Sequence, residues 1–330
     1  DLHSCPSRRS SVPLLDVCKK ISKLLKNGDI IAFESTVYPG ATEEICAKEL
    51  EKNKRSLKSG VDFFLGYSPE RVNPGDKKRT IDKINKVISG QNKKVETILF
   101  DIYSKLTKGE IFLAKNIKVA EASKVIENAQ RDINIAFINE VAKICSKLNI
   151  SIYDVLDASN TKWNFLPFLP GLVGGHCIGV DPYYLSHKAK ELKVDPEVIL
   201  SGRRTNDNMP KFIFKEIQKR LKKKANILFL GVTFKEDVPD LRNSKAIELL
   251  SFFQQPKFDV LINDPFINDD THIKYKDLTE KSFDAIILTV PHTFYKEKFL
   301  HIKKLLKKDG ILFDIKGIFR NKNMKNYWSL

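Results

Sequence analysis

The segment Gly171-Leu-Val-Gly-Gly-His-Cys-Ile-Gly-Val-Asp-Pro-Tyr-Tyr184 sets one thiol, Cys177, among several glycines, with a carboxylate, Asp181, four residues on. Glycine lets backbone approach a ligand closely, and backbone N–H groups near sulfur favour the nucleophilic thiolate. Cys177 is therefore a candidate nucleophile, with Gly174 and Gly175 as candidate ligand contacts, although the same pattern also describes a turn around a buried, inert cysteine. Lys124 and Asn128 stand four residues apart, so on a helix they share a face. A cation and an amide donor so placed can meet one oxygen and stabilise an oxyanion, or they can form a plain solvated face. Lys235 and Arg242 flank a turn after an apolar strand, which is where an open α/β sheet binds ligands; they fit a diphosphate, or are two exposed charges. Glu70, in a Ser-Pro-Glu turn, is a candidate acid or base or simply part of a loop. His176, beside the thiol, is tempting as a general base.

Positioning these groups requires an α/β scaffold. Apolar runs rich in β-branched residues at Ile30–Phe33, Phe63–Gly66, Val87–Ser89 and Ile111–Leu113 alternate with helical stretches Thr42–Lys54 and Lys93–Lys105. No Gly or Pro interrupts Val119–Leu148, where Val125, Ile126, Ala129, Ile133, Ala136, Phe137, Val141 and Ile144 follow helical spacing. This predicts one long buried helix of about thirty residues, roughly 45 Å, a spine between domains or subunits. After Pro210 come four more strands, Ile227–Val232, Val260–Asn263, Ala285–Val290 and Ile311–Asp314.

Composition narrows the classes. With 330 residues, 42% of them hydrophobic, the chain can bury two or three cores. Its apolar runs are far short of the roughly 20 residues of a membrane span, and Asp1–Leu15 has no signal-peptide pattern, so a cytoplasmic location is expected. Five cysteines without C-x-x-C spacing argue against a disulfide framework or a thiolate metal site. A net charge of +16 suits acidic ligands, but no nucleic-acid-binding motif accompanies it, and neither nucleic acid nor membrane is expected as a partner.

Five segments, in order, resemble the UDP-glucose/GDP-mannose dehydrogenase family: Glu34-Ser-Thr-Val-Tyr-Pro-Gly40, Tyr67-Ser-Pro-Glu-Arg-Val-Asn-Pro-Gly-Asp76, Ala120-Glu-Ala-Ser-Lys-Val-Ile-Glu-Asn128, the Cys177 segment, and Gly231-Val-Thr-Phe-Lys-Glu-Asp-Val-Pro-Asp-Leu-Arg-Asn-Ser244. The resemblance implies an NAD-dependent enzyme that oxidises a primary alcohol twice, with Cys177 holding the half-oxidised sugar as a thiohemiacetal and then a thioester. It implies oxyanion stabilisation at C6 by Lys124 and Asn128, acid/base and water-orienting roles for Glu70 and Asp181, and positioning by Thr36. Arg71, Gly174, Gly175, Arg204, Lys235 and Arg242 are implied to bind substrate, and Thr36, Cys177 and Arg242 to border the cofactor as well. Arg203, Arg204 and Asn206 resemble the family's Arg-x-x-Asn linker, and His176 reads as a subgroup marker rather than a base. No metal is implied.

The implied fold is α/β: an incomplete N-terminal Rossmann-like domain over 1–115, a central long-helix domain for catalysis and dimerisation over 116–208, and a C-terminal Rossmann-like UDP-sugar domain over 209–330. Val180-Asp181, Asn73-Pro74 and Thr161–Phe168 resemble the branch acting on UDP-N-acetylhexosamines rather than on UDP-glucose, and surface-polysaccharide synthesis is the role implied. No G-x-G-x-x-G occurs, so an N-terminally truncated chain is expected, and an inactive UDP-sugar-binding or dimerisation remnant stands as the alternative. A UDP-glucose 6-dehydrogenase is a further alternative. A hydroxyacid or 6-phosphogluconate dehydrogenase is disfavoured, since those reactions need no cysteine.

Overall fold

The computed structural model describes residues 6–330 except 74, 77 and 223, and the side chains from residue 12 onward; Cys5 and Pro74 lie outside the described residues. The chain divides into two compact units, residues 1–130 with 180–200, and residues 131–179 with 201–330.

In the first unit, β1 (Ile30–Phe33), β2 (Phe64–Tyr67), β3 (Lys86–Gly90) and β4 (Ile111–Leu113) form one sheet in that order. β1 pairs parallel to β2 and β3 parallel to β4, but β2 and β3 are antiparallel. Eighteen residues join β2 to β3, and the described ones among them form turns and loop without a regular helix. A parallel return needs a crossover, usually helical, so the chain comes back antiparallel. A helix over Lys93–Leu106 covers one face with Val95, Leu99 and Tyr103, its first turn capped by Asn92, whose side chain accepts the Val95 N–H at 3.0 Å. The predicted helix Thr42–Lys54 is shorter: a π-helical turn, Thr42–Cys46, runs into Ala47–Leu50 and then into turns. Pro6–Ser22, which the charged and Pro-containing sequence had not suggested, is helical.

The second unit holds β5 (Ala225–Leu230), β6 (Phe258–Asn263), β7 (Phe283–Leu288), β8 (Leu306–Asp314) and β9 (Tyr327–Ser329), all parallel, in the order β6-β5-β7-β8-β9. Ile227 and Phe229 face one core while Leu228 and Leu230 face the other. Burial on both faces is why the strand reads as a continuous apolar run rather than an alternating one. The short strand β9 escaped sequence reading.

The long helix runs from Ile117 to Leu148. Asn116 opens it, its side chain accepting the Val119 N–H at 2.9 Å, and Asn149 closes it in the left-handed region at φ 56°. The expectation of a wholly buried helix needs correction. Val125, Ala129 and Ala136 are buried, but so are Glu121, Asp132 and Asn139, while Ile126, Phe137, Ile144 and Leu148 are exposed. Its inward faces thus carry polar anchors among the small apolar residues. No helix among the described residues is long and apolar enough to cross a membrane.

Candidate functional site

In the first unit the long helix brings Lys124 and Asn128 to Asp181, the first residue of the helix Asp181–Glu191. Asn128 Nδ2 donates to Asp181 Oδ2 at 2.5 Å, and both side chains are buried. Burial pushes the Asp181 carboxyl up to about 6, although the Asn128 hydrogen bond and the nearby Lys124 ammonium pull it back. A carboxyl poised there exchanges protons near neutrality, beside a cation and an amide donor. Thr36 is half-buried just past the end of β1. The loop that follows it is pinned to the same helix by Glu121, which accepts the N–H groups of Gly40 at 2.5 Å and Thr42 at 2.9 Å.

Glu70 closes its own turn: Oε1 accepts the N–H groups of Arg71 and Val72, each at 2.7 Å. Its other oxygen lies 3.9 Å from the ammonium of Lys86, a buried lysine that also approaches Glu34 at 4.0 Å. Sequence reasoning missed Lys86, because a lysine opening a strand reads as an exposed end. Arg71 is committed to Glu127 on the long helix at 2.7 Å, which ties the Ser-Pro-Glu loop next to Asn128 rather than leaving that guanidinium open for substrate.

In the second unit the glycines before the thiol meet the chain itself. A Cβ on Gly174 would lie 2.6 Å from the Asn243 carbonyl oxygen, and one on Gly175, at φ +82°, would lie 2.6 Å from the Phe234 ring. The Cys177 turn is therefore pressed against the Phe234–Ser244 loop, and these glycines serve that contact. Cys177 is partly exposed, whereas Cys18, Cys46 and Cys145 are buried, and all four are thiols. Arg242 lies close enough to Cys177 for the two side chains to interact electrostatically. Asp240 holds Arg242 with two contacts, 3.0 Å from Nε to Oδ1 and 2.6 Å from Nη2 to Oδ2. His176 approaches Asp240 at 3.9 Å and edges onto Phe234.

Behind this turn stands a buried clamp. Asn139 exchanges two hydrogen bonds with the backbone of Gly171, at 2.9 and 2.8 Å, and donates to Asn206 at 2.8 Å. Asn206 and Arg203 both donate to Asp132. Of the linker arginines, Arg203 is thus a structural anchor, while Arg204 faces outward.

A cleft opens at the carboxyl ends of β5, β7 and β8, lined by Gly174, Thr233, Lys235, Thr289, Lys245 and Lys316 among others. The sheet order reverses between β5 and β7, so this is the switch point at which open α/β sheets bind ligands. Three lysines around one small cleft fit a doubly charged pyrophosphate. Lys245 is steadied by Glu248 at 2.7 Å and Asp207 at 3.0 Å, and Lys316 by Glu236 at 2.5 Å. The sequence had pointed to Lys235 alone. Lys316 could have been found from its place just after β8, but Lys245 carries no such signal.

Residues 12–107 match the NAD binding domain, 118–208 the central domain and 228–321 the UDP binding domain of the UDP-glucose/GDP-mannose dehydrogenase family. The chain is 48% identical to Protein CapL of Staphylococcus aureus over 97% of its own length and 78% of that protein. It is 44% identical to the UDP-N-acetyl-D-glucosamine 6-dehydrogenase of Pseudomonas aeruginosa, over 92% of this chain and 75% of that one. The chain belongs to the UDP-glucose/GDP-mannose dehydrogenase family. The solved UDP-D-ManNAc dehydrogenase of Pyrococcus horikoshii has a similar fold, with a TM-score of 0.85 at 30% identity over 97% of this chain and 76% of that one.

Membership makes this a nucleotide-sugar dehydrogenase chain of a family whose cofactor is NAD, and its match to the family's UDP binding domain indicates a UDP-sugar substrate. Apart from Leu172 and Gly174, which fall in the match to the central domain, the residues lining the cleft lie within the match to the UDP binding domain. The residues present can be tested against the dinucleotide. Where the first sheet would receive it, at the carboxyl ends of β1 and β2, the described residues offer Thr36 and the Ser68–Glu70 turn. They include no strand running through a glycine turn into a helix. Gly66 and Gly90 instead face Leu99 and Val95 of their own covering helix. These residues do not fit the pyrophosphate of NAD.

Proposed function

We propose that this chain acts as a UDP-N-acetylhexosamine 6-dehydrogenase, holding the sugar nucleotide and handling its C6 carbon. The trio Lys124, Asn128 and Asp181 carries this reading: a cation, an amide donor and a carboxyl near neutrality suit a carbon that passes through alkoxide and tetrahedral oxyanions. Cys177 stands four residues before Asp181 in the chain. Its sulfur adds to the C6 aldehyde, the carbonyl electron pair moving to oxygen and taking a proton, so the half-oxidised sugar stays bound as a thiohemiacetal. Each oxidation needs a two-electron hydride acceptor, which the family's NAD would supply when bound. After the second, water adds to the thioester carbon, the thiolate leaves and the uronic acid is released. Glu70 and Thr36 are assigned to positioning the water and sugar, and Lys235, Lys245 and Lys316 to the diphosphate, with Arg242 beside the thiol.

Val180 before Asp181, the Thr161–Phe168 segment and the names of similar proteins support an N-acetylated sugar. The product uronic acid then serves surface-polysaccharide synthesis, the role implied by resemblance. Phe137, Ile144 and Leu148, exposed at spacings of seven and four on the long helix, support a homo-oligomer formed through that helix. The decisive experiment adds NAD and either UDP-N-acetylglucosamine or UDP-glucose to the purified chain, following reduced cofactor by absorbance and the Cys177 peptide by mass spectrometry. A sugar adduct on Cys177 and a preference for the N-acetylated substrate of at least about tenfold are expected. Equal use of UDP-glucose removes the substrate assignment, and full oxidation by Cys177→Ser removes the thioester. UDP-sugar binding without NAD reduction selects the non-catalytic alternative.

A further inference from the structure

The loop that carries Phe234 and Lys235 into the cleft has no regular structure of its own, and buried side chains shape it. Asp264, just past β6, is 2% exposed, and its Oδ2 accepts the N–H groups of Val232 at 2.7 Å and Thr233 at 3.1 Å. His292, in the turn after β7, is wholly buried. Its Nε2 lies 3.1 Å from the same Asp264 oxygen and 3.2 Å from Thr233 Oγ1, while its Nδ1 accepts the Asp237 N–H at 2.9 Å. A ring nitrogen that accepts an N–H carries no proton, so the imidazole is neutral and donates from Nε2 to Asp264.

Asp237 itself is in the left-handed region at φ 57°, and its carboxylate takes the N–H and hydroxyl of Thr293 at 2.9 and 2.6 Å. The loop from Val232 to Asp237 is therefore fastened at both ends to one imidazole–carboxylate pair drawn from the tips of three neighbouring strands. The groups facing the ring are Asp264 from β6, Asp237 and Thr233 from the loop after β5, and the rings of Phe266 and Tyr295 at 4.9 and 5.7 Å. The Asp237 carboxylate lies 3.7 Å from Nδ1.

We propose that His292 is a positioning residue for the sugar nucleotide: it holds the Val232–Asp237 loop in the form that presents Lys235 to the diphosphate. The inference rests on the reading of the cleft as the UDP-sugar site. The ring is buried and accepts the Asp237 N–H at one end of the loop while it meets, at the other, the Asp264 carboxylate that takes the Val232 and Thr233 N–H groups. Without the ring acceptor the Asp237 N–H beside Lys235 loses that partner.

Calorimetric binding of UDP-N-acetylglucosamine to the full chain at one fixed pH, without cofactor, tests this. His292→Ala removes the acceptor for the Asp237 N–H and should weaken binding about tenfold or more. His292→Asn keeps an oxygen for that N–H, so it should restore most of the affinity that His292→Ala loses. Wild-type affinity in His292→Ala overturns the proposal, as does an equal loss in His292→Asn, which would show that the ring only fills space. Should His292→Ala fail to fold by circular dichroism, His292→Phe, which fills the space without accepting a hydrogen bond, is compared with His292→Asn, and equal affinity in the two overturns the proposal. A wild-type chain that binds no UDP-sugar overturns the nucleotide reading of the cleft itself, whereas tight binding unaffected by the substitutions removes only the role of His292.

Discussion

Asp181, proposed to act at the C6 carbon, is held at a cost in stability. Its folded carboxyl titrates at about 6 instead of the ordinary 3.8, chiefly because it is buried. The folded chain therefore holds that proton more tightly than the unfolded chain does. Stability contributed by this group is full below the unfolded value, declines as pH rises between the two values, and above about 6 reaches a deficit on the order of 3 kcal/mol. Asp181→Asn should raise the melting temperature at pH 8 and change it little at pH 4, while turnover falls. Equal shifts at both pH values would show that burial does not govern this carboxyl. Roles within the site separate by kinetics. Lys124→Ala should lower kcat roughly a hundredfold with little change in KM, since oxyanions form only during reaction, whereas loss of Lys235 should chiefly weaken binding. Exchange of those two effects would reverse the assignments.

At the level of elements, much of the scaffold was written in local pattern. In the second unit β5, β6 and β7 begin within two residues of their expected starts, because burial on both faces left continuous apolar runs, whereas β8 begins at Leu306 rather than Ile311 and β9 was not expected. The first sheet was less legible: its mixed pairing depends on the missing crossover between β2 and β3, which no local periodicity encodes. Turns with tight backbone contacts give a sharp test. Gly231 ends β5 at φ +82°, and a Cβ there would lie 2.3 Å from the Val290 carbonyl oxygen, so Gly231→Ala should cost about 2 kcal/mol or more and open the cleft. Chemical denaturation with UDP-sugar binding measures both effects, and a fully stable, binding-competent variant would show that the two strand tips are free to separate. On the long helix, Phe137→Glu should dissociate the expected oligomer in sedimentation without unfolding the chain, because Phe137 is exposed within a single chain. An unchanged oligomer would move the interface elsewhere.

For the whole molecule, 57 basic against 41 acidic residues leave a net charge of +16. Ion pairs such as Arg203–Asp132 are already counted in that balance, and the excess positive charge repels itself. Screening shortens to about 10 Å at 0.1 M salt, so added sodium chloride should raise the melting temperature while weakening UDP-sugar binding at the lysine-lined cleft. Both are measurable on one sample by thermal denaturation and calorimetry. Stability that falls with salt would mean that attractive pairs outweigh the net repulsion.

The sequence by itself determined the α/β class, the long helix and the family, since apolar periodicity and contiguous motifs such as the Cys177 segment survive without any three-dimensional information. It also placed Lys124 and Asn128 on one helical face. Only the tertiary structure decided that Asp181 meets Asn128, that Arg71 is taken by Glu127, and that the glycines before Cys177 accommodate Asn243 and Phe234. Lys86, Lys245 and the Asp264–His292 pair likewise became visible only when strands distant in sequence were brought side by side. The reason is physical: hydrogen bonds, ion pairs and desolvation depend on distances of a few ångströms between groups that may be a hundred residues apart in the chain, and nothing local in the sequence sets those distances.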